Sequence, residues 1–520
     1  MLPAATSYEA LCDRFRWNLP ARLNMAAQAC DDWAGRAPER LAIRDLSGDM
    51  PRDISYGDLR RMADRLAHAL VARGAGPGDR VGVLCGQGAW CAAAHVAIWK
   101  IGAISIPLFK LFKHDALASR VGDAGARIVV TDAEGAGVIA ALGDVAALVP
   151  EDEPLPEGLF ETAPTAADDP AVLIYTSGTT GAPKGALHAH RVLTGHLPGV
   201  EISHDFLGQA GDCLWTPADW AWIGGLFDVL MPGLALGVPV AAARLAKFSP
   251  QECMRIILEG AVKNVFFPPT ALRMLNAADI RLDGLRSVAS GGEPLGAEML
   301  DWGRRAFGLT INEFYGQTEC NMVAASCAAL FAPRPGCIGK PVPGHDVAVI
   351  DAEGRPTTAE GDIAIRRGSP VMMLEYWQKP EETAAKFRAG WMLTGDRGVI
   401  EDGYIRFVGR EDDVITSSGY RIGPAEIEDC LLTHPNVATV GVVGKPDPLR
   451  TEIVKAYVVL KPGVAPGEDL AAELQRYVKE RLASYSYPRE IVFLDALPMT
   501  VTGKVIRKDL KARAATEGAP

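Results

Sequence analysis

Short apolar runs recur along this chain, alternating with stretches of helical periodicity, and that alternation restricts the fold more than any other feature. Val81–Leu84, Arg127–Thr131, Ala171–Tyr175 and Asn264–Phe267 read as strands, while residues 57–72 place Leu59, Met62, Leu66 and Leu70 on one helical face. The pattern predicts α/β layers with largely parallel sheets. At 520 residues the chain exceeds what one hydrophobic core supports, so more than one domain is expected. The Pro- and Glu-rich residues 150–170 read as a surface connection. A boundary fits better near Gly409–Asp413, after short strands at 361–365 and 403–407. Beyond it comes a small α+β unit: a helix from Pro424, strands at 437–443 and 453–460, and a helix aligning Leu470, Leu474, Val478 and Leu482. The expected division is 1–410, a large α/β domain, and 411–520, a small α+β domain.

Net charge is −11 and the pI is near 5.4, which argues against a nucleic-acid binder with a basic face. Small anions are not excluded, because backbone N–H groups and a few placed cations hold phosphate locally. The ten cysteines are scattered with no CxxC pair, the pattern of thiols in a reducing compartment. Glu9, Asp13 and Asp31 interrupt the opening residues, so no secretory signal is expected. The longest apolar stretches, 94–109 and 229–243, are broken by Lys100 or by Pro232 and Pro239, so no membrane span is expected. These readings point to a cytoplasmic protein.

Directly after an apolar strand stands Tyr175-Thr-Ser-Gly-Thr-Thr-Gly-Ala-Pro-Lys-Gly185. Its glycines allow a tight turn and close approach to a ligand. Its hydroxyls and consecutive N–H groups form a nest for a triphosphate, and Lys184 adds a cation. The Walker spacing is absent. Glu313-Phe-Tyr-Gly-Gln-Thr-Glu319 offers a threonine for a phosphate oxygen and an acid for Mg²⁺, an ion bound through one or two carboxylates plus substrate phosphates. Trp391-Met-Leu-Thr-Gly-Asp396 places an acid after a glycine turn, where it can accept ribose hydroxyls.

Together with Gly409–Arg421 and Pro498-Met-Thr-Val-Thr-Gly-Lys504, these segments resemble the adenylate-forming, AMP-binding superfamily of acyl-CoA synthetases, peptide-synthetase adenylation domains and luciferases. The motifs run in the family's order over residues 172–508. Phe15-Arg-Trp-Asn-Leu19 resembles the medium-chain acyl-CoA synthetase branch. The resemblance implies a large N-terminal α/β domain of several subdomains and a small mobile C-terminal one. It implies ATP, Mg²⁺ and CoA as reaction partners. Thr176, Ser177, Gly178, Thr179, Thr180 and Lys184 then belong to the phosphate loop. Gly292, Glu293 and Pro294 line the adenine, with Tyr315 stacking on it and Gly316 and Gln317 beside the nucleotide. Thr318 matches a phosphate-binding threonine and Glu319 the Mg²⁺ acid. Asp396 and Arg410 match a ribose-binding pair, and Asp412 a hinge. Gly419, Tyr420 and Arg421 match the segment that receives CoA, and Lys504 the lysine of adenylation.

In acetate-specific relatives a tryptophan precedes the Gln-Thr-Glu; here the position is Gly316, which implies a longer acyl pocket. Each further buried CH₂ contributes about 0.8 kcal/mol. Trp220, Trp222, Ile223 and Gly224 resemble the segment shaping that pocket, so medium-chain, branched or aryl acids are expected and acetate is expected to be poor. Gly316→Trp would then favour short acids. An acyl-AMP ligase serving a carrier protein and a non-catalytic nucleotide or acyl-CoA sensor are the alternative readings. Lys504 resembles a lysine controlled by acylation, which implies a lysine acyltransferase and a deacylase as partners. His188 and His190 form an H-x-H with no third ligand at useful spacing, and packing is the expected role of both. Cys320 is expected to be a packing residue, not a nucleophile.

Overall fold

A computed structural model describes residues 2–517 apart from 49, 113, 177–182, 244, 246–247, 294, 411–412, 418–419, 448–449, 483–485 and 501–503. The helix expected over 57–72 forms as Tyr56–Ala72. It opens on a reciprocal cap: Ser55 Oγ accepts from the Asp58 N–H at 3.1 Å, and the Asp58 carboxylate accepts from the Ser55 N–H at 3.1 Å. Leu59, Leu66 and Leu70 are fully buried, and Met62 packs at the edge of the same core.

The expected α/β layering is present as two extended sheets. One runs Glu375–Tyr376, Lys184–Ala189, Pro170–Thr176, Ile104–Pro107, Arg80–Leu84, Ile128–Thr131, Ala146–Leu148, and is parallel from Pro170–Thr176 onward. The other carries Asn264–Phe266, Ser287–Gly291 and Ile311–Gln317 as parallel neighbours, with Cys320–Ala325 added antiparallel. Their strands read as near-continuous apolar runs because both faces are covered. Residues 150–169 are largely exposed and irregular, the surface connection the composition predicts.

A third sheet is antiparallel and includes Gly361–Arg366, Trp391–Glu401 and Tyr404–Arg410. Sheet membership changes between Arg410 and Ile415. Ile415–Ser417, Tyr420–Ile422, Val437–Asp447, Thr451–Leu460 and Glu490–Phe493 build a fourth sheet, packed by helices Pro424–Leu432 and Glu468–Arg481. Leu470, Leu474 and Val478 are buried on that second helix, and Leu482 caps it in extended backbone. This C-terminal unit rests on the rest of the chain where side chains are missing. A Cβ on Gly423 would run into the Val408 carbonyl, and one on Gly409 would meet Pro424 Cδ at 3.2 Å. Among the described residues, no helix is long and apolar enough to cross a membrane.

Candidate active site

The C-terminal ends of two parallel strands and one antiparallel hairpin converge on a single cleft. Strand Ser287–Gly291 ends at Gly292, whose φ of +95° suits a residue without a side chain. Opposite it Lys504 is carried by a hairpin: Thr500 N donates to Lys504 O at 2.7 Å, and Lys504 N donates to Thr500 Oγ1 at 3.0 Å. The Lys504 Nζ lies 3.8 Å from where a Gly292 Cβ would stand. Two segments 212 positions apart in sequence therefore face each other across the cleft. The ammonium reaches solvent yet has protein around it. This crowding lowers its pKa, Arg410 acts in the same direction, and Glu293 and Asp396 oppose them.

Asp396 and Arg410 are cross-strand partners in the third sheet, and the Arg410 guanidinium lies over Gly395, 3.9 Å from where its Cβ would be. Tyr315, 9% exposed, donates its hydroxyl to Asp396 Oδ2. Burial first, and the Asp396 charge second, push the phenol pKa well up, so it stays a donor. Gln317 Nε2 donates to Thr394 O at 3.0 Å, and Lys386 Nζ donates to Gln317 Oε1 at 3.1 Å. Arg273 pairs with Glu293 at 2.7 Å.

At the other end, Thr318 and Glu319 leave the strand half-exposed. Glu319 Oε1 accepts from the Tyr376 hydroxyl, and its carbonyl accepts from Met373 N at 2.9 Å. The Lys184 Nζ stands 5.3 Å from the Tyr376 ring centroid, a cation–π contact. Thr176 Oγ1 donates to Lys184 O at 3.4 Å, closing the base of the glycine-rich loop. Ser177, Gly178, Thr179, Thr180, Pro294, Asp412 and Gly419 lie outside the described residues. Tyr420 and Arg421 are described only as backbone of strand Tyr420–Ile422.

Two pocket expectations need correction. Gly316 does not open space where a tryptophan would stand. A Cβ there would strike Asn321 Oδ1, Met322 N at 2.5 Å and Asn321 Cα at 2.6 Å, because the register slips between Tyr315 and Gln317 and the neighbouring strand presses in. Trp220 is 1% exposed inside the main core and supports the segment from beneath. Trp222, Ile223 and Gly224 are half-exposed, and the Trp222 ring meets Phe109 at a tilt and Phe112 edge to face. His188 and His190 are both fully buried packing residues, and burial holds their pKa values near 3 and 4 respectively. Cys320 is buried too, and burial, aided by Glu319, pushes its thiol pKa up.

Sequence reading missed Tyr376, Lys386 and Arg273, none of which belongs to a motif, and a facing pair of acids. Glu313, on strand Ile311–Gln317, has its pKa pushed up to about 8 by burial and then by Asp429. Asp429, on helix Pro424–Leu432, is pushed up to about 7 by burial and then by Glu428, against the pull of Arg273. Burial of the two acids where the C-terminal unit meets the rest of the chain raises both values, so this arrangement is favoured while these acids hold protons. The contribution is full below the ordinary carboxyl range and is lost as pH rises through about 7 to 8. Hydrogen–deuterium exchange in helix Pro424–Leu432, corrected for intrinsic rates, should therefore rise between pH 6 and 8.5, and Asp429→Asn should flatten that rise.

The chain matches the model of the "AMP-binding enzyme" family over residues 30–377 and that of the "AMP-binding enzyme C-terminal domain" over residues 426–504. It is 33% identical to the acetyl-coenzyme A synthetase of Bacillus subtilis (strain 168), covering 94% of this chain and 90% of the relative. To the mitochondrial acyl-coenzyme A synthetase ACSM4 of Rattus norvegicus it is 33% identical, over 97% and 92% of the two chains. Among solved structures, the acyl-CoA synthetase of Brucella canis superposes with a TM-score of 0.73 at 34% identity, covering 98% of this chain and 99% of the other. The anthranilate CoA ligase AuaEII in complex with anthranoyl-AMP gives a TM-score of 0.86 at 27% identity, over 96% and 98%. Agreement of this extent, in both family models and along nearly the whole of each relative, places the chain in the AMP-binding enzyme family, as an AMP-forming acid–thiol ligase of the acyl-CoA synthetase type.

Proposed function

We propose that the protein joins a medium-chain, branched or aryl carboxylic acid to CoA through acyl-AMP, releasing pyrophosphate in the first step and AMP in the second. The observation that carries the reading is the approach of Lys504 to Gly292, with Asp396, Arg410 and Tyr315 around the same cleft. In the first step a carboxylate attacks the α-phosphate of ATP. Two anions must be held together while charge grows on phosphorus, so the step needs positioning and a fixed cation. Lys504 is the cation in reach of both. Asp396 and Arg410 hold the ribose, Tyr315 and Gly292 the adenine. Thr176 to Thr180 and Lys184 enclose the phosphates.

Glu319 fits a Mg²⁺ ion: it is half-exposed, its Oε1 is oriented by the Tyr376 hydroxyl, and among the described residues its second oxygen has no hydrogen-bond partner. Among the described residues no group of three His, Cys, Asp or Glu forms a complete metal cage, as suits an ion held through one carboxylate and substrate phosphates. When bound it neutralises phosphate charge. Thr318 stands beside it for a phosphate oxygen.

In the second step the CoA sulfur must reach the acyl carbon, so Lys504 has to withdraw. A turn at Asp412 would carry the C-terminal unit round and bring Gly419, Tyr420 and Arg421 to the cleft. The close backbone approaches at Gly423 to Val408 and at Gly409 to Pro424 support such a turn, since at these two points glycine leaves no side chain to clash. Acylation of the solvent-reaching Lys504 ammonium would remove the cation, which supports a lysine acyltransferase and a deacylase as regulators. The scatter of the ten cysteines, with no CxxC pair, supports a cytoplasmic location.

A pyrophosphate-release screen over acids of graded length and branching, with and without CoA, tests the reading. Pyrophosphate should appear with acid and ATP alone, and acyl-CoA and AMP only once CoA is added. Silence across the panel would favour a sensor, and acyl-AMP that CoA cannot discharge would favour transfer to a carrier protein.

A further inference from the structure

Behind Gly224 sits a carboxyl group that adenylation does not use. Asp228 follows Gly224 by four positions where the short helix Ile223–Gly225 continues as the π-turn Leu226–Leu230, so the two residues share a face. Its Oδ2 lies 3.6 Å from where a Gly224 Cβ would stand, and the Phe266 ring edge lies 3.2 Å from the same point. Asp228 is 2% exposed. Asn321 Nδ2 donates to its Oδ1 at 2.5 Å, and among the described residues Oδ2 has no hydrogen-bond partner. Asn321 is itself buried and packs against Gly316 of the neighbouring strand.

A carboxyl only 2% exposed, with one oxygen hydrogen-bonded and no cation beside it among the described residues, is costly unless something pairs with it. Core packing gives no reason for it, because a leucine would fill this place beside Phe266 without that cost. Burial pushes the Asp228 carboxyl well above the ordinary carboxylate range, against the pull of the Asn321 hydrogen bond, and among the described residues no cation pairs with it. Oδ1 accepts from Asn321, which leaves the proton on Oδ2. In its protonated form the group is a hydrogen-bond donor whose Oδ2 faces the Gly224 Cβ position, beside the Phe266 ring.

We propose that Asp228 is a specificity-determining residue that selects acids whose chain or ring carries a hydroxyl or oxo oxygen placed to accept from Oδ2. The proposal rests on the acyl-CoA synthetase reading above and narrows its acid. Asn321 acts through Asp228, as a positioning residue.

The test compares kcat/KM for pyrophosphate release on matched acids: hexanoate against its oxo and terminal-hydroxy analogues, and benzoate against the hydroxybenzoates. The wild-type protein should prefer one oxygenated member over its plain partner by about tenfold or more, since a site built to hydrogen-bond discriminates against the ligand that lacks the group. Asp228→Asn keeps a donor at the same place and should keep the preference. Asp228→Leu removes it and should reverse the preference toward the plain acid. Turnover of plain acids with no preference for oxygen in any wild-type pair would overturn the proposal and leave the two-step ligase intact. So would an unchanged preference in Asp228→Leu, or a preference for amino analogues lost in Asp228→Asn, the mark of an ionised carboxylate holding an ammonium. Absence of pyrophosphate with every acid would overturn both.

Discussion

Lys504→Ala is expected to slow acyl-adenylate formation by about 100- to 1000-fold, the usual loss when one fixed group opposite a developing oxyanion is removed. Conversion of supplied acyl-AMP to the thioester should stay within a few-fold of wild type. Lys504 is tied to Thr500 by one main-chain bond and by the Thr500 hydroxyl, neither of which uses the lysine side chain. The substitution thus removes an ammonium without removing the turn. It also leaves Glu293, Asp396 and Arg410 in place, so nucleotide binding should weaken far less than the rate. Single-turnover pyrophosphate release measures the first step, and thioester formation from acyl-AMP and CoA the second. Equal losses in both would remove the division of labour between Lys504 and the Gly419 segment.

The second large effect is at Gly316. A methyl group there meets Met322 N and Asn321 Cα, main-chain atoms that cannot rotate away as a side-chain tip can. Gly316→Ala must push strand Cys320–Ala325 off strand Ile311–Gln317, at a cost of about 1–3 kcal/mol or more. Tyr315, Thr318 and Glu319 all sit within three positions of the break, so turnover of every acid should fall together and thermal unfolding should come at lower temperature. Gly316→Trp should do the same more severely, and should not yield an enzyme for short acids. A folded Gly316→Trp variant with a shifted chain-length profile would show that the strand pair can yield, contrary to the packing seen.

These two residues also mark what can be read along a chain and what cannot. Lys504, Asp396, Glu319 and Lys184 were legible because each sits in a run of neighbours that serves one chemical task. The helix Tyr56–Ala72 and the α+β unit after Arg410 were legible because periodicity is local. Gly316 was misjudged because its crowding comes from a register slip against another strand, and nothing in the seven residues around it records that slip. Trp220 and Trp222 stand two positions apart, yet one is core and the other half-exposed, and a stripe of tryptophans does not say which. Tyr376 meets Glu319 across 57 positions, and Asp429 meets Glu313 only because helix Pro424–Leu432 packs against the larger part of the chain. Such partners exist only once the strands have paired. The phosphate loop itself, legible in sequence, lies outside the described residues.

The facing acids Glu313 and Asp429 make protons a ligand of the C-terminal unit. Were the unit to dock and undock near neutral pH, each docking would take up a fraction of a proton per carboxyl and each undocking would return it to the buffer. If the unit turns once in every catalytic cycle, the protein binds and releases these protons at the frequency of turnover. They add nothing to the net stoichiometry of the reaction. Their signature is calorimetric: the heat of nucleotide-driven docking should depend on the ionisation enthalpy of the buffer, and Asp429→Asn should weaken that dependence.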